Sequence, residues 1–136
     1  MTEAEHTGYV GQPTEAARDS ARRQIGTGKL SIIMPSHNLG LHIAANVKTV
    51  QAVFRGQVPF EIIVVDDGSR DNTADELRKI MSEVPELKPV CLAKNVGKGL
   101  AVMRGFEASC GSYVLFLDGD LDLPPAQTFR FFEIME

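Results

Sequence analysis

Four short apolar runs, each closing on a polar cluster, do most to limit the folds open to this chain. They are LSIIMPS (30–36), FEIIVVDD (60–67), KPVCLA (88–93) and SYVLFL (112–117). FEIIVVDD is nearly continuous in apolar residues, as a strand covered on both faces should be. Between the runs the period changes to that of a helix. Ile43, Ala44, Val47, Val50 and Phe54 fall at helical spacing, with Gly56 as a stop. Ala74, Leu77, Ile80, Met81 and Val84 form a second stripe, closed by Pro85, and Thr73 with Glu76 predicts a capping box at its start. Ala101, Val102, Gly105 and Phe106 give a third helix a face to turn towards a sheet. Strand alternating with helix implies an α/β domain, with a mostly parallel sheet and helices on both faces.

Composition bounds what such a domain can do. The 136 residues suit one domain, and a 43% hydrophobic fraction with a net charge of −4 lacks the basic excess expected of a nucleic-acid binder. Cys91 and Cys110 match neither a disulfide framework nor a zinc knuckle, so both are expected to be reduced core residues. Residues 1–28 carry few large apolar side chains and no run of signal-peptide or membrane-span length. They are expected to form a flexible tail, in which Thr14 to Gln24 has the Ala and Arg content of a frayed helix but too little apolar surface to order it, with residues 29–136 as the folded domain. The expected location is the cytoplasm, including the cytoplasmic face of a membrane.

In parallel α/β sheets ligands sit beyond the carboxyl ends of the strands, and the polar clusters lie there. They are Ser36-His37-Asn38, Asp66-Asp67-Gly68-Ser69, Lys94-Asn95 with Gly97-Lys98, and Asp118-Gly119-Asp120. Each alone is ordinary strand-end punctuation; together they define one rim. On an extended segment, Asp118 and Asp120 would point to one side and could share a cation, with Mg²⁺ or Mn²⁺ suited to carboxylate, phosphate and water ligands. Asp122 extends the series to the first, third and fifth positions of a calcium loop. The sixth position then holds Leu123 instead of Gly, and the twelfth Phe129 instead of Glu. Asp122 therefore reads as a solvated or helix-capping carboxylate, with Pro124 or Pro125 opening a helix. Asp66 and Asp67 can either cap their own turn or receive a ligand. Lys98 lacks the spacing of a P-loop, yet opens a helix where an ammonium and free N–H groups suit a phosphate or a base.

The segments LSIIMPSHN, EIIVVDDGSRDNT, NVGKGLAVMRGFEASCGSYVLFLDGD and LDLPP, in this order, resemble the N-terminal half of family 2 glycosyltransferases. The resemblance implies the GT-A fold, a Rossmann-like sheet that binds a nucleotide-sugar. It implies that Asp118 and Asp120 are catalytic and hold Mg²⁺ or Mn²⁺ in a D-x-D motif, Asp120 as the more direct ligand and Asp118 nearer the ribose. It further implies that Pro35, His37, Asn38, Asp66, Asp67, Lys98 and Asp118 bind the nucleotide. Where the family usually reads Pro-x-Tyr-Asn-Glu, His37 replaces the aromatic and Leu39 the acid. The long NVGKG segment and D-x-D-L-x-x-P-P look most like dolichyl-phosphate or polyprenyl-phosphate mannosyl- and glucosyltransferases. That implies GDP-mannose or UDP-glucose as donor, a lipid phosphate as acceptor and contact with a membrane face. Because the family fold continues past these motifs, the fourth strand is expected to expose an edge, open to self-association. Phe129, Phe131, Phe132 and Ile134 are expected to lack partners. A non-catalytic nucleotide-binding fragment acting by association is the alternative.

Overall fold

In a computed structural model describing residues 12–136, the four apolar runs become four parallel strands. They are β1 (Leu30–Ser36), β2 (Phe60–Asp66), β3 (Leu87–Cys91) and β4 (Tyr113–Phe116), in the spatial order β3-β2-β1-β4. The helices are α1 (Glu15–Ile25), α2 (Ile43–Phe54), α3 (Thr73–Ile80), α4 (Lys98–Ala108) and α5 (Gln127–Met135). This is the expected α/β class.

Strand alternation divides the interior into two layers. Leu30, Ile32 and Met34 of β1, with Phe60, Ile62 and Val64 of β2, point to a large core that also takes Val47 and Phe54 of α2, Leu77 of α3 and Phe129 of α5. Ile33, Ile63 and Val65 point the other way, onto Ala101 of α4. Helices thus cover both faces of β1 and β2, which explains why these two strands are buried along their whole length. The edge strands β3 and β4 are only partly covered, and Phe116 is 53% exposed. Pro89 is tolerated in β3 because an edge strand can spare an N–H.

After β3 the chain crosses back over β1 to place β4 on the opposite side, so the strand order reverses between β1 and β4. A crevice opens at such a reversal. Pro35 shapes it. β1 continues through Pro35 to Ser36 and keeps its pairing with β2 as far as Ser36–Asp66. Its pairing with β4 ends at Ile33–Phe116. Proline has no N–H to offer that ladder, so beyond Phe116 it is held only by β1 carbonyls, Ile33 accepting the Leu117 N–H and Pro35 the Gly119 N–H.

Several expectations need correction. Residues 15–25 are an ordered helix instead of a tail; residues 1–11 lie outside the described residues. Thr14 caps α1 by accepting the Ala17 N–H at 3.1 Å, and buried Ala17, Ala21 and Ile25 face the core. Ser20 Oγ donates to the Phe132 carbonyl at 3.0 Å, and Arg23 grips Glu136 at 2.6–2.9 Å. The partner is α5, more than 100 residues away, so no local pattern announces it. The same contact buries Phe129 and Phe132, which pack on Phe54 and Tyr113 at ring separations of 5.3 Å; Phe131 and Ile134 remain exposed as expected. Cys91 and Cys110 are free but exposed, since one ends an edge strand and the other lies in the loop before β4. The Thr73–Glu76 box does not form. Asp71 accepts the Thr73 N–H instead, and Thr73 Oγ1 accepts the Leu39 N–H at 3.0 Å, tying the start of α3 to the loop after β1.

Candidate functional site

The rim is built by backbone ladders that run past the strand ends. Asp67 N–H donates to the Ser36 carbonyl at 2.9 Å, Leu117 N–H to Ile33 at 2.9 Å, and Gly119 N–H to Pro35 at 3.1 Å. These bonds bring Pro35, His37, Asp67 and Asp118 to one edge of the sheet.

Asp118 and Asp120 do not lie on an extended segment. The Leu121 N–H returns to the Asp118 carbonyl at 2.9 Å, closing a turn that presents both carboxylates, and Leu121 takes a positive φ of 56° to complete it. Gly119 sits at the top of this turn, pressed on β1 so closely that a methyl group there would collide with Ser36 Oγ. Asn46 of α2 donates to the Gly119 carbonyl at 2.8 Å. Nothing local in the sequence marks Asn46, because its partner is 73 residues away and only the crossover brings them together. Asp122 is exposed, and its N–H donates to Asp120 Oδ1 at 3.2 Å.

Asp66 and Asp67 are both buried; the Asp66 carboxylate serves its own turn, whereas that of Asp67 serves a distant loop. Asp66 Oδ1 accepts the Ser69 N–H at 3.1 Å. The Asp67 carboxylate accepts the Val96 N–H at 2.8 Å and the Gly97 N–H at 3.1 Å, one on each oxygen, and so clamps the loop before α4. Gly68, at φ 63°, lets that loop pass against the turn; a methyl group there would strike the Lys94–Asn95 backbone. His37 Nδ1 lies 2.9 Å from the Asp67 carbonyl, which requires the Nδ1–H tautomer, and Nε2 then accepts from Asn38 Nδ2 at 3.2 Å. Asn38, at φ 53°, receives the Arg70 N–H on its side-chain oxygen at 2.9 Å. Leu39, where an acid was expected, is half-buried against the core. Asp71 is held below the usual carboxylate range by hydrogen bonds, first from the Thr73 hydroxyl and then from the Gly40 amide.

Lys98 opens α4 directly after this clamped loop. Its Nζ lies 2.6 Å from Asp118 Oδ1, and that hydrogen bond and charge hold the ammonium above its usual range, with Asp120 and Asp122 adding to the effect. Two clefts meet at Lys98. One, of about 220 Å³, runs past His37, Asp67 and Asn95; the other, of about 150 Å³, runs past Phe116, Leu117 and Asp118. Pro35 and Lys98 line both.

Asp118 and Asp120 are the residues of this rim that could hold a divalent cation. The carboxylates are hard oxygen donors, and one of them already binds a cationic group of the protein itself. Among the described residues no three Asp, Glu, His or Cys side chains gather as a metal site. Two carboxylates would therefore leave the other coordination positions to phosphate and water. Among the described residues no helix is long and apolar enough to cross a membrane.

The chain is similar to known proteins in both sequence and fold. Residues 31–136 match the model of glycosyl transferase family 2. The chain is 36% identical over 110 residues to the undecaprenyl-phosphate 4-deoxy-4-formamido-L-arabinose transferase of Serratia proteamaculans, covering 79% of this chain and 34% of that one. It spans about a third of the length of the curated relatives it matches. Among solved structures, S. aureus TarS 1-349 in complex with UDP-GlcNAc aligns at a TM-score of 0.62 and 29% identity, over 76% of this chain and 29% of that one. The Pyrobaculum calidifontis mannosyltransferase PcManGT, solved with GDP-Man and Mn²⁺, shares the fold at a TM-score of 0.61 and 20% identity, over 87% of this chain and 38% of that one. The fold is that of the GT-A glycosyltransferases, and the chain belongs to glycosyl transferase family 2.

Proposed function

We propose that this chain carries the donor-binding part of an inverting, metal-dependent glycosyltransferase that moves a sugar from a nucleotide-sugar to a polyprenyl phosphate. The observation that carries the reading is the meeting of two clefts at Lys98, one bordered by the Asp67 clamp and the other by the Asp118 turn. A nucleoside diphosphate needs such a run of contacts: a pocket for the base and ribose, a cation for the phosphates, and acidic oxygens for a metal. His37 and Asn38 border the base, Asp66 and Asp67 shape the nucleoside pocket, and Lys98 meets the diphosphate. Asp118 and Asp120 hold Mg²⁺ or Mn²⁺. What a bound divalent ion supplies is charge neutralisation at the oxygen on which the diphosphate leaves.

The acceptor phosphate oxygen attacks the anomeric carbon as the bond to the diphosphate breaks, and the electron pair departs with the diphosphate. A phosphate monoester with a second pKa of about 6 is already ionised near neutral pH, so no side chain is needed to deprotonate it. The relatives named for undecaprenyl phosphate support a lipid-phosphate acceptor, delivered at a membrane face. GDP-mannose and UDP-glucose are the donors to try first.

Calorimetry with GDP and UDP tests this directly. Manganese should strengthen nucleotide uptake, and Asp118→Ala with Asp120→Ala should weaken the manganese-dependent part by roughly tenfold or more. Uptake indifferent to manganese, or unchanged in the double variant, refutes the assignment. Label passing from the donor to a dolichyl-phosphate analogue shows transfer by this chain; nucleotide binding without transfer favours the non-catalytic alternative.

A further inference from the structure

Lys98 occupies a position that binding of a diphosphate alone does not explain. Its ammonium is directed at Asp118, at 2.6 Å, instead of standing open to receive a phosphate. Its backbone is fixed, because the Asp67 carboxylate clamps the amides of Val96 and Gly97 immediately before it. Its side chain is not: 66% of it is exposed, and a four-carbon stem lets the ammonium swing while the helix start stays in place. Asp118 pairs with it, and Asp122 lines the same cleft. The same side chain borders the cleft on the Asp67 side, so two stations lie within its reach.

Resting on the donor-binding reading above, we propose that Lys98 is the resident counter-cation of Asp118, a side chain that a divalent cation must displace and that turns to the diphosphate when displaced. The exchange balances charge at both stations. Without nucleotide, a metal ion arriving at Asp118 has to break the existing ion pair and leave the ammonium without its hydrogen-bonded partner. With a diphosphate present, the released ammonium gains a new partner. Metal and nucleotide therefore strengthen each other's binding, and by linkage the strengthening is reciprocal. Lys98 makes the acidic turn a poor metal site until the donor arrives.

Manganese binding to the full chain tests this, read by calorimetry and by paramagnetic broadening of the Gly119 and Asp120 amides, which remains visible for weak binding. The pair is exposed, so its loss is modest: Lys98→Met should raise manganese affinity without nucleotide by roughly 1.5- to fivefold and reduce the gain that GDP or UDP adds. Lys98→Arg, which keeps a displaceable cation, should stay near wild type. Arg104→Met removes one charge from the same helix without touching Asp118 and should also stay near wild type. If wild type takes up manganese only with nucleotide, Lys98→Met should take it up without. Manganese affinity in Lys98→Met at or below wild type, or an equal rise in Arg104→Met, overturns the proposal. If manganese uptake is lost in Asp118→Asn yet indifferent to Lys98, the counter-cation role fails while the donor-binding reading stands. No uptake by wild type under either condition overturns both.

Discussion

Replacing Glu61 by Gln probes how the amino end of the sheet keeps the rim in register. Glu61 is 5% exposed, and its carboxylate accepts from Ser31 Oγ at 2.6 Å, the Cys110 N–H at 2.8 Å and Cys110 Sγ at 3.5 Å, with Lys88 Nζ at 3.3 Å. Ser31 Oγ in turn accepts the Gly111 N–H at 2.8 Å. This network fixes the loop from which β4 departs, and β4 carries Asp118 to the opposite edge. Burial by itself pushes the Glu61 carboxyl up, but the hydrogen bonds from Ser31, Cys110 and Lys88 outweigh it and bring it from 4.5 down to about 2. That corresponds to roughly 2–3 kcal/mol of preference for the ionised form, after discounting the half-exposed Lys88 for solvent screening. The folded value lies below the unfolded one. The stabilisation is therefore fully present above about pH 4.5 and disappears as the pH falls from there to about 2. Glutamine keeps the shape but offers a donor where an acceptor is needed, so the variant should lose roughly 2–4 kcal/mol at pH 7. Urea denaturation followed by circular dichroism at pH 7, 4.5 and 3 measures this. The gap between wild type and Glu61→Gln should narrow steadily below pH 4.5. A gap under about 1 kcal/mol at pH 7, or one that does not change between pH 7 and pH 3, would refute the reasoning.

Asp67→Asn preserves volume but leaves either the Val96 or the Gly97 N–H facing an amide nitrogen; hydrogen exchange at those two amides should quicken by roughly tenfold or more, and unchanged exchange would contradict the clamp. Phe129 is 1% exposed and stacks on Phe54, so Phe129→Ala should cost about 3–5 kcal/mol in chemical denaturation and reduce amide protection in α1 as well as α5. A loss below about 1 kcal/mol, or protection lost in α5 alone, would mean that α1 does not depend on this packing.

The class of fold, and the end of the sheet at which the polar clusters gather, follow from the sequence alone. Both rest on local information. Five apolar residues spaced along 43–54 bury one face as a helix, and a run such as Phe60–Asp66, alternating with helices along the chain, suits a strand covered on both faces of a parallel sheet. Once strands and helices alternate, chain direction alone puts His37, Asp67, Lys98 and Asp118 at the same end. Tertiary structure decided what those residues touch. The order of α1 rests on α5, the Asp118–Leu121 turn on Pro35 and Asn46, the two Asp67 oxygens on the amides of Val96 and Gly97, and the Lys98 ammonium on Asp118. Each of these joins segments well separated in the chain. Neither residue type nor periodicity encodes such a partner, because the bond forms only after the crossovers have brought both segments to one place.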